Sequence, residues 1–203
     1  MSGPDLAFWE RRFATGDLPW DRGESNPQLA VWLADGSLAP GRIAVPGCGS
    51  GHEIEALAHA GFEVTGLDYA QGAVALTRSR LARQGLQAEV IRADVLQWQP
   101  TTAFDAIYEQ TCLCALHPDE WTQYAAQLAA WLRPGGRLAV LAMQAARKGA
   151  HDGRIEGPPY HVDINALRAL LPGSHWIWPH PPYAQVLHPA QPWFELALVL
   201  TRR

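Results

Sequence analysis

The chain has 203 residues, 48% of them hydrophobic and 18% charged. At roughly 150 residues per domain this is one domain, long enough to bury a core without disulfides or metals and too hydrophobic for disorder. The net charge of -4, with a single Lys (Lys148), offers no basic field to a nucleic-acid backbone, and three cysteines (Cys48, Cys112, Cys114) make no disulfide framework and fit a reducing compartment.

Taken in chain order, Asp5–Phe13 and Asn26–Leu33 read as two helices ahead of the first strand. The start, MSGPDLAFWERRF, lacks a basic run followed by an apolar one, and no stretch approaches the roughly 20 apolar residues that span a bilayer. A soluble cytoplasmic protein with no membrane partner is expected. Arg42–Cys48 is a short apolar run ending in a glycine-rich turn, followed by a helix over Ile54–Ala60 with Gly61 as its C-terminal cap. Glu63–Tyr69, Ala88–Asp94 and Phe104–Gln110 read as strands, with a helix over Gln71–Gln84 between the first two. Pro118–Leu132 is a long helix that Arg133-Pro134-Gly135-Gly136 should end, and Arg137–Met143 is the fifth strand. Val162–Leu171 then reads as a helix, and His175–Trp178 and Phe194–Thr201 as two final strands. Alternation of this kind predicts an α/β, Rossmann-like doubly wound, mostly parallel seven-stranded sheet. The last two strands should form an antiparallel C-terminal edge hairpin.

Chemistry concentrates at the predicted strand ends. Gly47, Gly49 and Gly51 follow the first strand and open a helix, where glycine lets the backbone turn tightly and approach a ligand. The spacing is G-x-G-x-G, and His52 stands where the dinucleotide fingerprint wants glycine. Asp68 ends the second strand, 21 residues after Gly47, where a carboxylate accepts two hydrogen bonds from ribose hydroxyls. A helix-capping Asp is the plainer reading of that residue alone. Asp94 and Val95 end the third strand, placed for an adenine amino group and ring. Glu109 and Gln110 end the fourth, on the sheet edge where open α/β folds bind ligands. Cys112-x-Cys114-x-x-His117 has no second pair at zinc spacing, so no metal is expected. His151, His175, His180 and His188 lie in loop-like stretches and need no special role.

Together, PGCGSG (46–51), Asp68, Ala93-Asp94 and LRPGGRLAVL (132–141) resemble the class I S-adenosylmethionine-dependent methyltransferases. Over nearly the whole chain, FWERRFATGDLPWDRGESNP (8–27), VPGCGSG, FDAIYEQTCLCALHP (104–118) and GPPYHV (157–162) resemble the thiopurine methyltransferase superfamily, closest to its thiol/halide methyltransferase branch. The resemblance implies one domain over residues 1–203, with 1–35 as a helical lid over the cofactor, S-adenosyl-L-methionine. Trp9, Phe13, Trp20, Gly47, Gly49, Asp68, Asp94, Val95 and Gln110 would contact it, and GPPY would flank the substrate. Where the family often has Asp-Tyr, this chain has Glu109-Gln110, a departure at the contact at 110.

Physical chemistry agrees, because a sulfonium cation is attracted to Trp and Phe faces and an aromatic lid excludes water. The same aromatics would also serve simply to pin an N-terminal helix. The expected reaction is in-line methyl transfer to a small acceptor, a thiol, halide or related chalcogen, by a protein working as a monomer. Such nucleophiles need little general base; Glu109, His117 and Tyr160 are the candidates for a base or orienter. A non-catalytic cofactor-binding protein and a nucleotide-dependent oxidoreductase remain the alternatives.

Overall fold

The computed structural model describes residues 3–147, 149 and 154–203; Lys148 and His151 lie outside them. Eight strands form one sheet among these residues: β1 (Arg42–Pro46), β2 (Glu63–Asp68), β3 (Glu89–Arg92), β4 (Phe104–Gln110), β5 (Leu132–Gln144), β6 (Trp176–Ile177), β7 (Ala184–Leu187) and β8 (Phe194–Arg202). The order is β3-β2-β1-β4-β5-β8-β6. The first five run parallel, and β8 is antiparallel to β5, β6 and β7. Sequence order reverses between β1 and β4, both flanking neighbours of the glycine turn, and this is the switch point where such sheets bind ligands.

The apolar strands are legible because both sheet faces are covered. One core layer holds Phe104, Trp121, Tyr124, Trp131 and Leu167; the other holds Leu29, Trp32, Ile54, Leu57 and Leu81. The helices are α1 (Leu6–Thr15), α2 (Pro27–Ala34), α3 (His52–His59), α4 (Gln71–Gln84), α5 (Trp121–Trp131) and α6 (Ile164–Leu170). Asp5 caps α1 by accepting from the Phe8 amide, and Gly16 ends it in a left-handed conformation. Asn26 caps α2, with Pro27 in the first turn.

Three details depart from the sequence expectation. The glycine-rich stretch 133–136 does not separate helix from strand: α5 ends at Trp131, and β5 begins at Leu132, which pairs with Phe104. The turn Pro118–Glu120 is 3-10, so the α-helix starts at Trp121. The sheet also gains β7, and the C-terminal strand is not at its edge. β8 lies against β5, while β6 and β7 share its outer side, at residues 201–202 and 194–197 respectively. Only Val186 of β7 turns inward, which leaves no alternation to read.

The tryptophans divide accordingly. Trp32, Trp121, Trp131 and Trp176 are core residues. Trp98 packs edge-on against Trp131 at 5.2 Å, and Trp178 donates to the Leu171 carbonyl at 2.7 Å. Trp131 has no exposed surface and donates to the Trp98 carbonyl at 3.2 Å. Trp131→Ala should therefore cost ~3–5 kcal/mol, read as a lowered midpoint in urea unfolding.

Candidate active site

The glycine turn is built for a close approach. Gly47, Gly49 and Gly51 all have positive φ (61°, 53° and 77°), a region other residues enter at a cost. A Cβ on Gly47 would stand 3.0 Å from that of Cys112, and one on Gly51 2.6 Å from Thr77. Asp68 ties the turn to β2: its Oδ2 accepts from the Gly49 amide and its Oδ1 from the Ala70 amide, each at 2.9 Å. Each oxygen keeps acceptor capacity beyond those bonds. Burial pushes the Asp68 carboxyl up to about 6 against these backbone donors.

Around this rim lies a cavity of about 500 Å³, a volume usual for a small-molecule site. Every residue expected to hold the cofactor lines it: Trp9, Phe13, Trp20, Gly47, Gly49, Asp68, Asp94, Val95 and Gln110. Asp94 accepts from the Leu96 amide at 2.9 Å. Trp20 packs edge-on against Trp9 and Phe13 at 5.6 and 6.0 Å. A carboxylate of α1, Glu10, accepts from the Gln71 amide at the start of α4 at 2.9 Å, which moors the aromatic helix. Thr111, just after β4, is the one non-glycine among the described residues with positive φ (62°), a strained conformation typical of functional sites.

The three base candidates do not line the cavity. Glu109 is 1% exposed and faces the other side of β4, where its Oε1 accepts from the Leu113 amide at 2.7 Å. Burial pushes its carboxyl up to about 7. His117 caps the 3-10 turn, accepting from the Asp119 amide at 3.3 Å. Tyr160 packs edge-on against that imidazole at 5.5 Å and is buried. Of the GPPY stretch, Pro158 and Pro159 line the cavity, and Gly157 and Tyr160 do not. The thiols of Cys48, Cys112 and Cys114 are buried, and desolvation raises all three away from thiolate.

Glu195 and His188 are among the lining residues that escaped the sequence reading. Glu195 on β8 is 3% exposed, and its oxygens accept from Asn26 Nδ2 at 2.8 Å and Gln110 Nε2 at 3.2 Å. Burial pushes it up to about 7. A lone carboxylate within FELALVL was the available signal. His188, read as a loop residue, accepts from the Ala190 amide at 3.2 Å and meets the Trp20 carbonyl at 3.4 Å. It joins the segment after α1 to the β7–β8 loop, which brings Trp193 to the cavity wall.

Asp68, Glu109 and Glu195 each hold a proton more tightly folded than unfolded, so the stability they contribute is complete below an unfolded pKa of about 4. It is lost as pH rises through their folded values of about 6 and 7. The ligand-free protein should resist urea better near pH 5 than near pH 8, and Glu195→Gln should shrink that difference. A flat profile would contradict the burial argument.

Residues 4–191 match the thiopurine S-methyltransferase family. Probable thiol methyltransferase 2 of Arabidopsis thaliana is 32% identical over 173 residues, covering 84% of this chain and 74% of that protein. Thiocyanate methyltransferase 1 of the same plant is 34% identical over 167 residues, covering 80% and 70%. The structure of Burkholderia thailandensis 1,6-didemethyltoxoflavin-N1-methyltransferase with S-adenosylhomocysteine superposes with a TM-score of 0.77. At 20% identity over 97% of this chain and 86% of that one, this likeness is one of fold. The match over most of the chain decides between the alternatives open at the sequence level: the chain belongs to the thiopurine S-methyltransferase family and is an S-adenosylmethionine-dependent methyltransferase of small nucleophiles.

Proposed function

We propose that the acceptor is a soft, small nucleophile, a thiol, a halide or a related chalcogen anion. The observation that carries this is the wall beyond the glycine rim: Leu116, Met143, Pro158, Pro159 and Trp193 line it, while Glu109, His117 and Tyr160 are turned away or committed to packing. Such a wall strips water from a weakly hydrated nucleophile and does not depend on those three groups as bases. The names of the thiol and thiocyanate methyltransferases agree with it.

S-adenosylmethionine supplies an electrophilic methyl group on a sulfonium centre. In this reading Asp68 holds the ribose and Asp94 with Val95 the adenine, while Gly47, Gly49 and Gln110 flank the amino-acid end. The spare lone pairs of Asp68 and the room left by absent Cβ atoms fit that role. Trp9, Phe13 and Trp20 face the cation and exclude water, so residues 1–35 act as a lid; Met1 and Ser2 of that stretch lie outside the described residues. Lid and acceptor wall come from one chain, which supports a monomer as the working unit. Three buried free thiols support a reducing, cytoplasmic setting.

A panel of thiols, halides and amines, read by formation of S-adenosylhomocysteine, tests the proposal. Turnover should favour thiols or halides, and exclusive turnover of amines would overturn it. Trp9→Ala should weaken S-adenosylmethionine by ~0.5–2 kcal/mol more than S-adenosylhomocysteine, which lacks the cation. Equal losses by calorimetry would reduce Trp9 to packing.

A further inference from the structure

Glu195 stands near the start of β8, directly across from Met143 of β5, and residues opposed in this way share one face of a sheet. Met143 and Trp193 belong to the acceptor wall, and Glu195 lines the main cavity with them. Its Oε1 accepts from Gln110 Nε2 at 3.2 Å, and Gln110 lines the same cavity and is partly exposed. Its Oε2 accepts from Asn26 Nδ2 at 2.8 Å. One bond to each oxygen leaves a carboxylate about half of its acceptor capacity. Glu120 also lines the cavity, but it belongs to the capping box of the 3-10 turn, where it accepts from the His117 amide at 3.2 Å.

The charges around Glu195 come from several elements. Glu53 of α3 and Glu109 of β4 repel its negative form, and Arg22 offsets part of that repulsion. Burial, and then neighbouring carboxylates that include Glu195, keep Tyr108 and Cys114 protonated. Its cross-strand partners, Met143 of β5 and Val186 of β7, are uncharged, and His188 of the β7–β8 loop is turned to the Trp20 carbonyl. Burial pushes Glu195 up to about 7. A base serves best with its pKa near the working pH, and an alkyl thiol, ordinarily at about 8.5 or above, is only modestly weaker as an acid.

The acceptor classes differ in whether they bring a proton. A thiol enters neutral and must lose its proton as its sulfur is methylated. A halide or thiocyanate enters as an anion and has none to lose. Bringing a further negative charge against Glu53, Glu109 and Glu195 in a dry site is costly. A neutral thiol avoids that cost and meets a group able to take its proton.

We propose that Glu195 is the proton acceptor for a thiol substrate, which makes this a thiol site in preference to a halide site. The proposal rests on the soft-nucleophile reading of the acceptor wall and narrows it. As the thiol S–H bond breaks, its proton passes to a Glu195 oxygen and its electron pair forms the bond from sulfur to the methyl carbon. The bond from that carbon to the sulfonium centre breaks, and its pair stays on the cofactor sulfur. Glu195 returns the proton to water once the products leave.

Turnover of 2-mercaptoethanol and of iodide tests this, read as the ratio of their kcat/KM values. The ratio cancels changes in cofactor binding and the ionisation of Asp68, which both acceptors share. Glu195→Gln should lower the thiol-to-iodide ratio at least ~10-fold at about pH 7.5, with the loss in the thiol value. Glu120→Gln should not move it. Equal losses for both acceptors, no loss for either, or a ratio moved by Glu120→Gln instead would overturn the proposal. The unaltered protein supplies a second arm that needs no variant to fold. Its thiol-to-iodide ratio should rise with pH through about 7, as Glu195 gains its charge, ahead of the thiol's own ionisation at about 8.5 or above. A ratio that follows only the thiol's ionisation would overturn the proposal independently. Methylation of amines alone would defeat the soft-nucleophile reading and the proposal with it. A preference for iodide over the thiol at about pH 8, where Glu195 is charged, would defeat the proposal alone.

Discussion

The bond from the Gly49 amide to Asp68 Oδ2 is the contact on which the rest of the site depends. It closes the turn after β1 onto the end of β2, in a turn where Gly49 holds a left-handed conformation that glycine adopts without steric cost. The same carboxylate takes the Ala70 amide that leads into α4, and the backbone carbonyl of Asp68 accepts from the Ala93 amide beyond β3. Three strand ends are thus held to one acidic residue. Burying that carboxylate weakens its acidity, and the backbone donors around it are what make a usable anion there affordable.

The two ends of the chain complete what the central sheet begins. The N-terminal segment brings Trp9, Phe13 and Trp20 over the rim, and β8 brings Glu195 beneath it. Asn26 joins them, with its side chain on Glu195 and its backbone amide on Glu53. Arg22 and His188 tie the same segment to β7 and the loop that follows it. A cavity walled by residues from position 3 to position 195 is therefore one mechanical unit, and displacing the N-terminal segment means breaking polar contacts to the far side of the sheet.

Much of the fold was legible because its constraints are local. Continuous apolar runs mark strands covered on both faces, and three glycines two apart mark a backbone that must turn and stay bare. Asp68 was legible through its distance from those glycines. Other residues were not, because their roles are set by contacts distant in sequence. Glu109 and Gln110 are adjacent on β4 and so point to opposite faces; the motif named both, and only the packing of α5 and α6 shows that Glu109 faces the core. His117 has the chemistry of a base but spends it on a turn amide. Glu195 gains its meaning only once β8 inserts beside β5, and β7 is too short and too exposed to announce itself. Arg22 looks like an ordinary loop cation until its buried nitrogens are counted.

The most direct measurement of the central claim is a crystal structure of the protein with S-adenosylhomocysteine bound. The account predicts ribose hydroxyls within about 2.5–3.0 Å of the Asp68 oxygens, the adenine beside Asp94 and Val95, and the sulfur beneath Trp9, Phe13 and Trp20. A ligand seated elsewhere, or a ribose out of reach of Asp68, would contradict it.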